Sequence, residues 1–146
     1  MDISEWHLYE HLTNVVRHYK YKVYYFYIMA YPQELLSQIK AGDNIVKFQE
    51  LRYGLFSRKY GWIALTEERL IYNARLYDSG SKTKSYETAN FPISKITNMR
   101  TAQQKIGCFG KQGVLEVNMQ GAVYTIIVGK NINSVKPLIQ AFNERT

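Results

Sequence analysis

Gly61-Trp-Ile-Ala-Leu-Thr-Glu-Glu-Arg-Leu-Ile-Tyr-Asn-Ala-Arg-Leu-Tyr77 is the stretch that decides the fold. Residues 61–66 are a short apolar run with β-branched and aromatic character. Glu67, Glu68 and Arg69 break it, and Leu70–Tyr77 resumes a strand-like pattern. Two such runs across a tight polar turn predict an antiparallel hairpin. Thr66 is placed to hydrogen-bond the local backbone through its hydroxyl while Leu65 and Leu70 point inward. Arg69 is expected to pair with a nearby carboxylate or to cover apolar surface with its stem.

Working outward, the rest of the chain after Gly42 keeps strand-like periods. Asn44–Phe56 carries Val46, Phe48, Leu51, Tyr53 and Leu55, with a slip in alternation near Glu50–Leu51 that predicts a bulge or bend. Ser57–Gly61 reads as a turn and Asp78–Lys84 as a loop by composition. Ser85–Asn90 and residues 95–105 are two further strand candidates, and Gly107–Gly113 is a second glycine-rich loop. Val114–Met119 and Ala122–Val128 predict another hairpin, joined at Gln120-Gly121. Leu115, Val117 and Met119 are expected on one face, and Tyr124, Ile126 and Val128 on another. At the end of the chain, Val135, Leu138, Ile139 and Phe142 recur at i, i+3, i+4, i+7. They predict one amphipathic helix, capped by Asn133 or Ser134, with Pro137 tolerated in its first turn. The tally after Gly42 is about seven strands and one helix: an α+β class, mainly β.

The N-terminal part differs. All three histidines (His7, His11, His18) precede residue 41, and every glycine follows it. Residues 1–40 are charge-neutral, whereas the remainder holds fifteen basic and eight acidic residues and so carries the whole formal charge of +7. A seam near residues 41–44 divides an extension, 1–41, from a domain, 42–146. Ile3, Trp6, Tyr9, Leu12, Val16 and Tyr19 predict a helix over about residues 3–19. Tyr21–Tyr31 fits either a strand or a continued helix. Pro32 can open a short helix with Leu35, Leu36 and Ile39 on its apolar face, stopped by Gly42.

At 146 residues the chain has room for one domain with an appendage. Cys108 is the only cysteine, so no internal disulfide and no cysteine-based metal site are expected. No signal-peptide pattern opens the chain. The most hydrophobic window, Val23–Tyr31, falls well short of the roughly 20 residues a membrane span needs. A reducing, cytoplasmic setting is therefore expected, with peripheral attachment at the inner membrane surface as the alternative.

The stretches 64–72 and 91–96 also carry a resemblance. Ala64-Leu-Thr-Glu-Glu-Arg-Leu-Ile-Tyr72 and Phe91-Pro-Ile-Ser-Lys-Ile96 resemble segments of bacterial pleckstrin-homology-like domains, the group near the GRAM domains. The match covers about residues 35–146. It implies a seven-stranded antiparallel bent barrel, partly open, with the C-terminal helix over one end. It also implies a non-enzymatic binding or adaptor role through protein contacts, with homo-oligomers known among relatives. Relatives that bind inositol phospholipids use basic residues on the first two strands and their connecting loop. On that pattern the candidate anion-binding residues are Arg52, Arg58, Lys59 and Tyr60, flanked by Lys82 and Lys84. Arginine forks and lysine point charges suit phosphate, but the dense basic pattern of strong binders is missing here.

No catalytic set is legible. Nothing in the chain order ties Cys108 to a histidine. The phosphate-loop spacing is absent, and Gly107–Gly113 lies between strands rather than ahead of a helix. His7 and His11 at i, i+4 read as a solvated face rather than a metal site. No cofactor and no metal are expected. Seven of the thirteen tyrosines fall in residues 9–31. Tyr21, Tyr24, Tyr25, Phe26 and Tyr27 are therefore candidate interface residues, for an unknown protein partner or for a second copy, because tyrosine buries large area while keeping a polar tip. The interleaved Arg17, Tyr19, Lys20, Tyr21 and Lys22 suit stacking on single strands, but no nucleic-acid motif accompanies them.

Overall fold

The hairpin read from residues 61–77 is present in the computed structural model. Strand β2 (Tyr60–Thr66) pairs antiparallel with β3 (Arg69–Arg75), with Leu65 opposite Leu70 and Ala64 opposite Ile71. The structure describes residues 31–53, 60–77, 86–106 and 110–145. The expected helix over 3–19, almost all of the Tyr21–Tyr31 segment, and the loop 78–84 lie outside the described residues. Two compact units are distinguished, Met1–Ile39 and Lys40–Thr146, and each is described by itself.

In the first unit, the described part is one helical turn, α1 (Gln33–Leu36). The helix expected to run on to Gly42 stops much sooner. Two side chains take the Glu34 carbonyl, Ser37 Oγ at 2.9 Å and Gln38 Nε2 at 3.0 Å. The backbone then tightens to i→i−3 bonds from Gln38 and Ile39, so residues that compete for the helix ladder end it. Gly42, at φ 87°, belongs to the turn that follows.

The second unit is mainly β: seven strands among the described residues, in two antiparallel sheets, with one C-terminal helix. The first sheet runs β1 (Ile45–Arg52), β2, β3, β4 (Tyr86–Pro92). The second runs β5 (Ile96–Ile106), β6 (Gly110–Met119), β7 (Ala122–Gly129). A 3₁₀ turn, Ile93–Lys95, joins them. No closed barrel forms among the described residues. The sheets meet where Leu76 bridges Ile126, where Tyr77 N–H donates to the Thr125 carbonyl at 3.0 Å, and where Tyr53 Oη donates to the Ile127 carbonyl at 2.8 Å. Leu51, Ile63, Leu65, Leu70, Tyr72, Leu115, Val117 and Ile126, drawn from both sheets, form one buried cluster with Leu138 and Phe142 of the helix. Burial of this kind contributes roughly 25 cal/mol per Å² of apolar area.

Several boundaries differ from the sequence reading. The irregularity in β1 lies between Ile45 and Lys47, not at Glu50–Leu51, so both of those keep their places opposite Trp62 and Gly61. Tyr60 and Gly61 belong to β2 rather than to a turn. Residues 110–113 extend β6 rather than forming loop, because the long β5 carries its pairing out to Ile106 opposite Gly110. On the other side of β6, Gly113 lets β7 approach: a Cβ there would lie 2.7 Å from the Gly129 carbonyl. A register shift at Gly113/Val114 also breaks the simple alternation expected for the last hairpin, so Val114 and Leu115, like Ile126, Ile127 and Val128, are all buried. The hairpin turn itself is as expected: Gln120 and Gly121 both take positive φ, 53° and 81°, the geometry that matches strand twist in a two-residue turn.

The chain ends in a 3₁₀ turn (Ile132–Val135) leading into α2 (Lys136–Asn143). Neither Asn133 nor Ser134 caps the helix, whose N-cap position is Val135 with no side-chain bond; Asn131 caps the 3₁₀ turn ahead of it, its side-chain oxygen accepting from Asn133 N–H at 3.2 Å. Ser134 Oγ instead donates back to the Asn131 carbonyl at 2.8 Å. Val135, Leu138 and Phe142 are buried as expected, and Ile139 is half-buried at the helix edge.

Candidate binding groove

Among the described residues only one side of β5 is paired. It is the edge strand of its sheet, bonded to β6 alone, and at eleven residues it is the longest of the seven. Helix α2 lies beside it. Its stripe 135, 138, 142 points into the core, and the neighbouring face, Lys136, Ile139, Gln140 and Asn143, again at i, i+3, i+4, i+7, is left turned toward β5. Between them is an open groove of about 600 Å³, lined by Met99, Arg100 and Thr101 of β5, by that helix face, and by Glu144. Met99 and Ile139 supply apolar floor; Thr101, Gln140 and Asn143 supply polar groups.

The helix runs against the strand. At its front, the Ile132 side chain stands where a Cβ on Gly113 would be, 2.8 Å away, and Gly113 is opposite Gln103. At its back, Arg145 Nη1 donates to the Thr66 carbonyl at 3.2 Å. Thr66 lies in the β2–β3 turn, where Glu68 accepts from Ile93 N–H just ahead of β5. Lys136 therefore lies toward the Gln103–Lys105 end of the strand and Glu144 toward its start.

Charge follows that direction. Arg100, 68% exposed, is ion-paired with Glu116 opposite it in β6. Glu144 accepts from Gln140 Nε2 at 3.1 Å. From β5 to Arg145 those are the two carboxylates among the described residues, against Arg100, Lys105, Lys111, Lys130, Lys136 and Arg145. Lys105 and Lys111 are directly opposite each other, both exposed. Like charges so placed disfavour the pair unless something anionic comes between them.

A second cluster closes the seam between the sheets. Arg75 lies over the rings of Tyr53 and Tyr86, at 5.0 and 5.4 Å from their centroids. The two rings meet edge to face at 5.6 Å. Burial pushes the Tyr53 phenol up to about 12, against the lowering effect of its hydrogen bond with the Arg75 backbone. Burial also raises Tyr72, reinforced by Glu87 and Tyr124, and raises Tyr86, where Arg75 opposes it. The Tyr53 phenol is taken up in holding strands together, whereas the buried Tyr72 and Tyr86 phenols have no hydrogen-bond partner among the described residues.

Of the residues expected to bind anions, Arg52 is at the end of β1 with an exposed side chain, and its carbonyl packs against Gly129. It is not among the groove residues. Tyr60 opens β2 opposite Arg52. Arg58, Lys59, Lys82 and Lys84 lie outside the described residues, as do Tyr21, Tyr24, Tyr25, Phe26 and Tyr27, the three histidines and Cys108. Arg69 finds an amide rather than a carboxylate, Nη1 donating to Asn90 Oδ1 at 3.0 Å. The sequence reading missed the groove entirely. The available signal was the second heptad-like face of α2, one step round from the apolar stripe.

Among the described residues no group of three or more His, Cys, Asp or Glu side chains could hold a metal ion, and no helix is long and apolar enough to cross a membrane. Neither the protein-family models nor the curated proteins contain a match to this chain.

Proposed function

We propose that the chain is a non-enzymatic, pleckstrin-homology-like binding module that acts through protein contact, taking a partner segment in the groove between β5 and α2. The order of its elements supports the first half of this reading. Four antiparallel strands, three more, and a C-terminal helix buried against both sheets fit a bent, open barrel with its mouth covered. The single observation that carries the second half is that, among the described residues, the outer edge of β5 is unpaired and stands beside an open groove. An exposed edge is a row of backbone donors and acceptors that an extended segment can complete, with adjacent pockets taking alternate side chains. A second copy of the chain is one candidate for that segment.

A photo-reactive side chain placed at Gln140, in the groove, and separately at Val123, exposed on β7, tests the proposal. Cross-linking to a partner, or to a second copy, is expected from position 140 and not from 123. Equal yields from both would remove the groove from the reading.

A further inference from the structure

The groove has a basic end, and that end narrows the class of partner. Lys136 opens α2, Lys105 lies further along the edge strand beyond Thr101, and Lys111 stands opposite Lys105 on β6. No carboxylate of β5, β6 or α2 offsets these three: Glu116 is engaged by Arg100, and Glu144 is at the opposite end. The first turn of α2 adds its own partial positive charge and contains no acidic side chain. Of the other groove positions, Met99, Thr101 and Ile139 offer modest apolar and hydroxyl contact, while the charges of Arg100 and Glu144 are engaged by Glu116 and Gln140. We infer that the partner is an extended peptide segment whose residues beside Lys105 and Lys136 are acidic, with Lys111 adding positive charge from the next strand, and whose remaining length is uncharged. This inference rests on the groove being a strand-addition site.

Selection of a random peptide display library on the full chain, followed by amide-shift mapping of the enriched peptides, separates the two claims. The expected result is peptides that carry two or more carboxylates at one end and shift β5 and α2 resonances. Lys136→Glu should weaken them by about fivefold or more, on the scale of an exposed charge pair made and reversed. That substitution places an acid in the first helical turn, where it favours the helix, so lost binding would not reflect unfolding. Enriched peptides that map to the groove without acidic bias would overturn the inference and leave the binding reading standing. No enrichment, or shifts elsewhere, would overturn both. Binding to phosphatidylserine–phosphatidylcholine vesicles with the same dependence on Lys136, and none to acidic peptides, would assign the basic end to a membrane and overturn the inference.

Discussion

The Thr66 hydroxyl donates a 2.8 Å hydrogen bond to the carboxylate of Asp43, twenty-three residues earlier in the chain. Both side chains are buried. The same hydroxyl accepts from Arg69 N–H at 2.9 Å and Glu68 N–H at 3.3 Å, and the other Asp43 oxygen accepts from Glu67 N–H at 3.1 Å. The β2–β3 turn is thus tied to the segment that leads into β1. Thr66→Val keeps the shape and strips the hydroxyl's bonds to Asp43, Glu68 and Arg69 while leaving the Glu67–Asp43 bond. It is expected to cost about 1–3 kcal/mol, the range for leaving buried polar groups unpaired. Thr66→Ser, which keeps the hydroxyl, should cost much less. Urea midpoints of the two variants decide it.

That pair also shows what sequence can and cannot give. Thr66 could be read as a turn-former because its partners at Glu68 and Arg69 are local. Asp43 could not, because nothing in its neighbourhood points to a residue beyond the next strand. The strands were legible where a short run rich in apolar and β-branched residues is bounded by turn residues, as in 61–66, 70–75, 114–119 and 122–128. They were misplaced where a partner strand sets the limit: residues 110–113 look like loop alone and become strand only because β5 reaches Ile106. The groove was illegible for the same reason. Lys136, Ile139 and Gln140 look like an ordinary wet helix face until β5 is laid beside them.

Glycine positions provide a controlled comparison. Gly42 and Gly129 share nearly the same positive φ, 87° and 90°. A Cβ on Gly42 meets nothing within 4 Å, whereas one on Gly129 would lie 2.5 Å from the Arg52 carbonyl. Gly42→Ala should therefore show only the backbone term, about 1–2 kcal/mol. Gly129→Ala must in addition push β7 from β1 and should lose clearly more. Equal losses in thermal or urea unfolding would mean that the β1–β7 approach gives way freely.

Tyr53 predicts an alkaline limit. Its phenol rises from 10.0 to about 12 in the folded chain, chiefly through burial. The unfolded chain then releases this proton before the folded one does. The sign follows: the contribution is fully present below pH 10, declines as pH rises above it, and is lost as pH passes about 12. Phenolate absorbance should show Tyr53 ionising later than exposed tyrosines. In Tyr53→Phe, which also drops the bond to the Ile127 carbonyl, overall stability should be lower at neutral pH and its alkaline decline shallower. An unchanged alkaline slope would place the effect on another group.

The outer edge of β5, unpaired among the described residues, makes the last prediction, and the functional reading depends on it. In an antiparallel edge strand, alternate residues direct N–H and C=O groups toward the neighbour and away from it. β6 is bonded on both sides, by β5 and by β7, so its amides are held within the sheet. Along β5, from Ile96 to Ile106, amide hydrogen exchange should alternate: slow where the group faces β6, and fast by orders of magnitude where it faces the groove. Adding a peptide that completes the edge should slow the fast set and leave the slow set as it was. If all β5 amides were protected to the level of β6 in the free chain, the edge would already be covered, and no strand could be added there.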